Sequence, residues 1–576
     1  MPATPAPSRL PRHSRLLPRT VLAGVGAAAA VAAVVAPSQA ALLPDGPVTY
    51  SADGAALSLT PVGTYETGVF DASAAEIVAY HARSQRLFVV NAELGRVEVL
   101  DAADPAAPSK VGELDAAGTV AADGSTIPVG AVANSVAVRR DGLVVIAVES
   151  AVKTDPGWIV VADAERLTVL GAVRVGALPD MVTLSDDGRY AVVANEGEPS
   201  EDFTVDPEGS VGVVSLPRRV AVPAQKDVRI ADLHAFEGDG LPDGVRVFGP
   251  TVGALPVSSN LEPEYVTIDG TTAYVTLQEA DAIAVVDIRR AKVKEILPLT
   301  DRDYGLAGLD PSDRDGGFSL RTYPGLVGLS MPDAIASYQA RGRTYLVTAN
   351  EGDAREWGDY VEGVRVSALG RNGLAPVCAD SPLAALTGPA DLGRLNVTTA
   401  SGLRADGSCY EELVAFGTRS FSIWDTDGGL VFDSGTALEE ITAAAVPTFV
   451  NSNHTESNFE GRSDDKGPEP EGVAVGKVGG RTYAFVGLER VGGVAVFDVT
   501  RPASSTFVTY VNNRDFSVSV EDGGALAEAG DLGPEGLTFL PAGASPTGRP
   551  MLAVANEVSG TTTLFAVEVG RGGGRR

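Results

Sequence analysis

Leu178-Pro-Asp-Met-Val-Thr-Leu-Ser-Asp-Asp-Gly-Arg-Tyr-Ala-Val-Val-Ala-Asn-Glu-Gly197 reads as a strand, a tight Asp-Gly turn, and a second strand that ends on an acid. The pattern returns as Met331-Pro-Asp-Ala-Ile-Ala-Ser-Tyr338 followed by Arg343-Thr-Tyr-Leu-Val-Thr-Ala-Asn-Glu-Gly352. Looser copies open at Glu76, Asn134, Glu264, Glu471 and Glu535. A third strand follows in Arg96-Val-Glu-Val-Leu-Asp101, Ala282-Ile-Ala-Val-Val-Asp287 and Gly493-Val-Ala-Val-Phe-Asp498, and a fourth is visible from Leu167 to Val175. Four antiparallel strands repeated along a chain cannot cover their own faces, so neighbours must stack radially. The expected fold is an all-β β-propeller of seven or eight four-stranded blades with long inter-strand loops. Seven units are clear; a divergent one around Leu413 and Phe421-Ser-Ile-Trp-Asp425 leaves the count open.

The units lie farther apart than the ~40 to 45 residues of compact propeller repeats. Inserts rich in Gly, Pro, Asp and Ser fill residues 199–210, 232–262, 301–328, 368–395 and 450–470. Long loops on a rigid scaffold are where function is usually carried.

The N-terminus sets Arg9, Arg12, Arg15 and Arg19 before an apolar stretch from Val21 to Val35 and then Ser38-Gln39-Ala40. That is the layout of a secretory signal peptide, and the apolar run is shorter than the ~20 residues of a spanning helix. The expected organisation is a signal peptide at 1–40, a short linker at 41–49, one propeller domain at 50–568 and a flexible Gly/Arg tail at 569–576. No apolar tail follows Val569, so free release to the extracellular space, with no membrane span after cleavage, is the expectation, and a monomer is expected.

The chain of 576 residues carries 75 acids against 45 Lys and Arg, a formal charge of −30. Such a surface repels nucleic acid and anionic lipid. It suits calcium-rich or saline surroundings, or simply keeps a large exported protein soluble. Cys378 and Cys409 are the only cysteines; export permits a disulfide between them, and two buried thiols are the alternative.

Acids recur at two places in the repeat. Asp180, Glu264, Asp333, Glu471 and Glu535, with Glu76 in a looser copy, open the first strand. Glu93, Glu149, Glu196, Glu279, Glu351, Glu489 and Glu557 close the second. First strands line the channel of a propeller, so these side chains are expected to converge on one axial opening. Converging carboxylates raise each other's pKa unless a cation or a basic side chain compensates. With His and Cys scarce, a divalent cation such as Ca2+ is the expected cofactor. The candidate ligands are Asp180, Glu196, Glu264, Glu279, Asp333, Glu351, Glu471, Glu489, Glu535 and Glu557. The competing reading makes them strand caps that pair with Arg355, Arg462 or Arg490.

Asp313-Arg-Asp315-Gly316-Gly317 and Asp425-Thr-Asp427-Gly428-Gly429 open like calcium loops, but neither supplies the closing Glu. The polar stretch from Asn451 to Glu471 feeds a first strand, so His454, Glu456, Arg462, Asp464, Asp465 and Lys466 are expected at the channel mouth, able to hold a metal and an anionic group. No G-x-S-x-G, G-x-x-x-x-G-K-[ST] or H-E-x-x-H occurs, which removes serine-hydrolase, P-loop and zincin readings.

Ala194-Asn-Glu-Gly-Glu-Pro199, Ala349-Asn-Glu-Gly-Asp-Ala-Arg-Glu-Trp357 and Arg462-Ser-Asp-Asp-Lys-Gly-Pro-Glu-Pro-Glu-Gly472 resemble the choice-of-anchor I domain family across nearly the whole chain. That resemblance implies a surface-associated binding protein whose partner is a mineral, glycan or cell-envelope component. Some relatives are described as atypical alkaline phosphatases, which implies instead a calcium-assisted phosphomonoesterase acting on phosphate esters. In that reading Arg355, Arg462, Arg490 and Lys466 face the small anionic ligand, and no nucleophile can be named.

Overall fold

A computed structural model describes residues 46–570. The expected signal peptide and the tail beyond residue 570 lie outside the described residues.

Seven antiparallel sheets of at least four strands repeat one order: the first strand of each repeat unit lies innermost and the next strands follow outward, with an N-terminal strand added at the outer edge of the last two sheets. The innermost strands are Val78–His81, Val132–Val138, Pro179–Leu184, Pro263–Asp269, Ile335–Ala340, Pro470–Val478 and Pro534–Leu540. Each lies against the innermost strands of the blades before and after it, and the last lies against the first. The ring is therefore closed, and the protein is a seven-bladed β-propeller. Blade interiors such as Leu143–Glu149 are buried along their whole length, because neighbouring blades cover both faces.

Closure is made by the chain ends. Leu57–Glu66 is the outermost strand of the seventh blade, paired along its length with Thr561–Val569. Val48–Ser51 adds a fifth strand to the sixth blade by pairing with residues Thr509 to Asn512, and so begins within the stretch 41–49 read as a linker.

The divergent eighth unit belongs to the fifth blade. Phe421–Asp425 pairs with Arg343–Ala349 as that blade's third strand, after an insert at residues 350–420. Leu413–Ala415 instead runs parallel to Leu326–Gly328 in a small accessory sheet. Within this insert Cys378 and Cys409 form a disulfide.

Topology fixes where the inserts emerge. Antiparallel pairing puts the start of each first strand, the end of the second, the start of the third and the end of the fourth at one end of the blade. Segments 196–209, 232–262, 299–334, 350–420, 434–469 and 513–533 all leave from these points, so they crowd one face. The opposite face carries mostly tight turns. Asp425-Thr-Asp427 is one of them: the Asp425 carboxylate accepts from Asp427 N at 3.0 Å and Gly429 N at 2.8 Å, leaving an ordinary turn. No helix among the described residues is long and apolar enough to cross a membrane.

Candidate functional site: an acidic channel mouth

The first-strand acids owe their direction to a repeated backbone device. Pro179, Pro263, Pro470 and Pro534 each open an innermost strand, where a missing N–H is tolerated, and the register slips by a bulge between each proline and the residue three positions on. Asp180, Glu264, Glu471 and Glu535 sit inside those bulges, which turn their side chains out of the ladder. Leu178, Met331 and Glu469, each preceding a proline, hold φ of 44°, 38° and 47°. Left-handed backbone at a non-glycine residue is sparsely populated and persists only where its surroundings enforce it.

Two glycines bring neighbouring acids together. A Cβ on Gly472 would lie 1.8 Å from the carbonyl oxygen of Glu535, and one on Gly536 would lie 2.2 Å from that of Glu76. Gly536 N donates to that same Glu76 oxygen at 3.1 Å. Only a bare α-carbon allows this approach, so Glu-Gly at 471–472 and 535–536 draws the sixth, seventh and first blades close at the mouth.

The carboxylates share one space. Oxygens of Glu76, Glu535 and Glu557 lie within 4.8 Å of one another, as do those of Glu351, Glu471 and Glu489, and a ligand nitrogen of His454 with oxygens of Glu489 and Glu557. Tyr265, on the fourth blade, reaches into the same volume: burial raises its hydroxyl pKa first, then Asp333, Glu535, Asp180 and Glu471, from four different blades.

Burial and mutual repulsion push these acids upward. Asp180 reaches about 7, through burial and then Glu198 and Glu149. Glu557 reaches about 8, through burial and then Glu489. Glu76, Glu196, Glu264, Glu279, Asp333, Glu471 and Glu535 are driven well above the carboxylate range, burial leading and neighbouring acids following. Of the ten candidate ligands only Glu351 and Glu489 form an ion pair among the described residues. Buried oxygens of Glu264, Glu279, Glu471, Glu489 and Glu535 have no hydrogen-bond partner. Buried polar atoms are otherwise almost always satisfied.

The basic side chains gather on one side. Glu469, fully buried, receives Lys466 and Arg462 at 3.0 Å and Arg490 at 2.6 Å, and these cations overcome burial to hold its pKa well below the usual range. Lys466 also reaches Glu351 at 2.6 Å. Arg490 lies 2.9 Å from Glu489, which meets His454 at 3.0 Å; against the upward push of burial, Arg490 and then His454 hold Glu489 at about 2. Arg355 is paired with Glu262 and donates to Phe248 O at 3.2 Å. All four basic candidates are thus engaged by carboxylates, while Glu76, Glu264, Asp333, Glu471 and Glu535 have no basic partner among the described residues.

Several placements differ from expectation. Glu93 is exposed on a turn, because Ala92 follows Asn91 at the position that Glu196, Glu351 and Glu557 occupy after their asparagines. Glu456 points away, bonded by Asn458 at 2.8 Å. Asp464 pairs with Arg394 and Arg365 beneath the accessory loops. The most heavily paired acid, Glu469, escaped sequence reasoning; its only signal was a Pro-Glu step, Pro468-Glu469, directly before the Pro470-Glu471 step.

A family model described as the choice-of-anchor I domain matches residues 76–502. Gigasin-3a of Magallana gigas is 34% identical over 188 residues, 31% of this chain and 64% of that protein. Mesenchyme-specific cell surface glycoprotein of Strongylocentrotus purpuratus is 32% identical over 286 residues, 44% of this chain and 37% of that protein. The chain therefore spans less than two thirds of either relative. Among solved structures, hydrazine synthase of Kuenenia stuttgartiensis aligns with a TM-score of 0.42 at 15% identity, covering 88% of this chain and 99% of that one. The Swd1 propeller domain of Myceliophteria thermophila aligns at 0.39 and 9% identity, covering 87% and 99%.

Proposed function

Because the chain belongs to the choice-of-anchor I domain family, we propose that it is an extracellular, surface-associated binding propeller whose acidic mouth works with a bound divalent cation, calcium by its chemistry. The observation that carries this reading is the set of orphaned, partnerless carboxylate oxygens converging from several blades. An all-oxygen donor set suits a hard cation, and Glu76, Glu535 and Glu557, with Glu471 alongside, would hold it. A cation so held neutralises the repulsion and leaves outward positions for an oxyanion of a mineral, glycan or envelope partner. The name of the Strongylocentrotus purpuratus relative, a cell surface glycoprotein, supports the location.

A phosphoesterase reading has less support, because Arg355, Arg462, Arg490 and Lys466 are all committed to carboxylates. Calorimetric titration of the chelator-treated chain with Ca2+ tests the proposal. Binding that weakens in Glu535→Gln and Glu471→Gln is expected; a wild-type chain whose mouth takes up no calcium would sink it. Calcium-dependent turnover of p-nitrophenyl phosphate in the same sample would turn the reading toward an enzyme.

A further inference from the structure

Asp313-Arg-Asp315-Gly316-Gly317 opens like a calcium loop without its closing Glu. In the fold that residue arrives from another insert. Segment 299–334 carries Asp310 and Asp315 against Glu460, from the loop that precedes the sixth blade, and one carboxylate oxygen of each lies within 4.8 Å of the others. The trio shares no residue with the carboxylate groups of the channel mouth.

Asp310 is 0% exposed and Glu460 2%, and the Asp315 side chain is 10% exposed. Asp310 accepts from Ser463 Oγ at 3.0 Å through one oxygen. Its other oxygen, and Oε1 of Glu460, are buried without any partner. The neighbouring cations are otherwise used. Arg321 lies 3.3 Å from Asp315 and 2.9 Å from Asp391. Arg314 and Arg394 both take Asp313 at 2.9 Å. Arg419 bonds the Asp310 carbonyl at 2.7 Å, Glu439 at 2.8 Å, and the carbonyls of Ser463 and Asp465 at 2.7 Å, not the Asp310 carboxylate. No ion pair reaches the carboxylates of Asp310 or Glu460 among the described residues. Glu460 is also left-handed, at φ 57°, a conformation the surrounding structure must enforce.

Two buried carboxylates with facing, unmatched oxygens are costly unless something positive lies between them. We propose that Asp310, Asp315 and Glu460 form a separate site for a calcium-class divalent cation, which clamps the insert before the fifth blade to the loop before the sixth. The ligands are oxygen only and come from two separate irregular inserts, which suits the adaptable coordination of Ca2+ better than the strict octahedron of Mg2+. Burial and then Glu439 raise Asp310 to about 7, and burial and then Asp310, Asp315 and Asp313 raise Glu460 to about 8, so a bound cation would displace protons these acids otherwise retain. The clamped loop is the one that sends Arg462 and Lys466 to Glu469, so the ion would act as a brace for that side of the mouth.

This inference stands whether or not the mouth itself binds a cation. Bound Ca2+ would be counted by equilibrium dialysis at near-neutral pH for the full wild-type chain, Glu460→Gln and Glu535→Gln. The expected result is one fewer ion in Glu460→Gln than in wild type, with that ion retained in Glu535→Gln. If the mouth holds no ion, the wild type binds a single one, lost only in Glu460→Gln. A Glu460→Gln chain that binds as many ions as wild type, or a wild type that binds none, overturns the proposal. Should Glu460→Gln fail to fold, Asp315→Asn, at the less buried edge, takes its place, with the same loss expected and the same retention decisive against it.

Discussion

Lys466 sets its ammonium 2.6 Å from the carboxylate of Glu351, joining the loop before the sixth blade to the end of the fifth blade's second strand. Two sequence motifs far apart in the chain meet in that contact. Lys466 is 7% exposed and also bonds Glu469 at 3.0 Å. Removing one partner of a buried pair strands the other, so Lys466→Met is expected to lower unfolding free energy by about 3 to 5 kcal/mol. Guanidinium denaturation measures it; a loss near zero would show that solvent already screens the pair.

The mouth dictates a pH dependence. Asp180 at about 7 and Glu557 at about 8 titrate above the ~3.9 and ~4.3 of free carboxyls. The folded chain therefore keeps protons that the unfolded chain has released, and the stability these groups contribute is complete below about pH 4 and lost as pH rises toward 8. Glu489 and Glu469, held low, oppose this only in acid below their ordinary range. In chelator, the melting temperature is expected to fall between about pH 5 and 8. Saturating Ca2+ should flatten that fall, and calcium affinity should rise with pH as protons leave. A chelated chain whose melting point is level across the window would contradict the assignment.

Gly472 supplies a steric test. Its absent Cβ would meet the Glu535 carbonyl at 1.8 Å, so Gly472→Ala must push the sixth and seventh blades apart. A loss of at least ~1 to 3 kcal/mol is expected, as for other overpacked sites. Weakened calcium binding should accompany it, since Glu471 and Glu535 move with their strands. Titration of the folded variant separates the two effects.

The disulfide spans a sequence separation of 31 within the insert of the fifth blade. Loop-closure entropy gives it roughly 3 to 4 kcal/mol. That stabilisation belongs to the insert, because the strands of the blade pair without it. Replacing Cys378 and Cys409 with alanine is expected to open residues 350–420 to limited proteolysis while leaving the main melting transition close to its original temperature.

The repeat was legible because each blade restates its strand pair, down to the Pro-acid step at Pro179-Asp180 and Pro332-Asp333. The number of blades was not, since a long insert carried Phe421–Asp425 away from the strands it joins. Positions of the acids followed from strand ends, yet their company did not. Glu93 and Glu196 look alike in sequence, but a one-residue offset after the asparagine sends Glu93 to solvent. Glu469 reads as one more loop acid until three basic side chains are seen to close on it. The meeting of Asp310 with Glu460 depends on how two inserts fold over one another, which no local pattern encodes.

The pairing of Leu57–Glu66 with Thr561–Val569 has a consequence for how the molecule comes into being. The cluster of Glu76, Glu535 and Glu557 straddles that seam, drawing one member from the first blade and two from the last. Glu535 and Glu557 come from one hairpin, whereas Glu76 lies at the far end of the chain and meets them only in the closed ring. All three are forced together only when the final strand is available to lock the circle, so this meeting of acids is completed only as the ring closes.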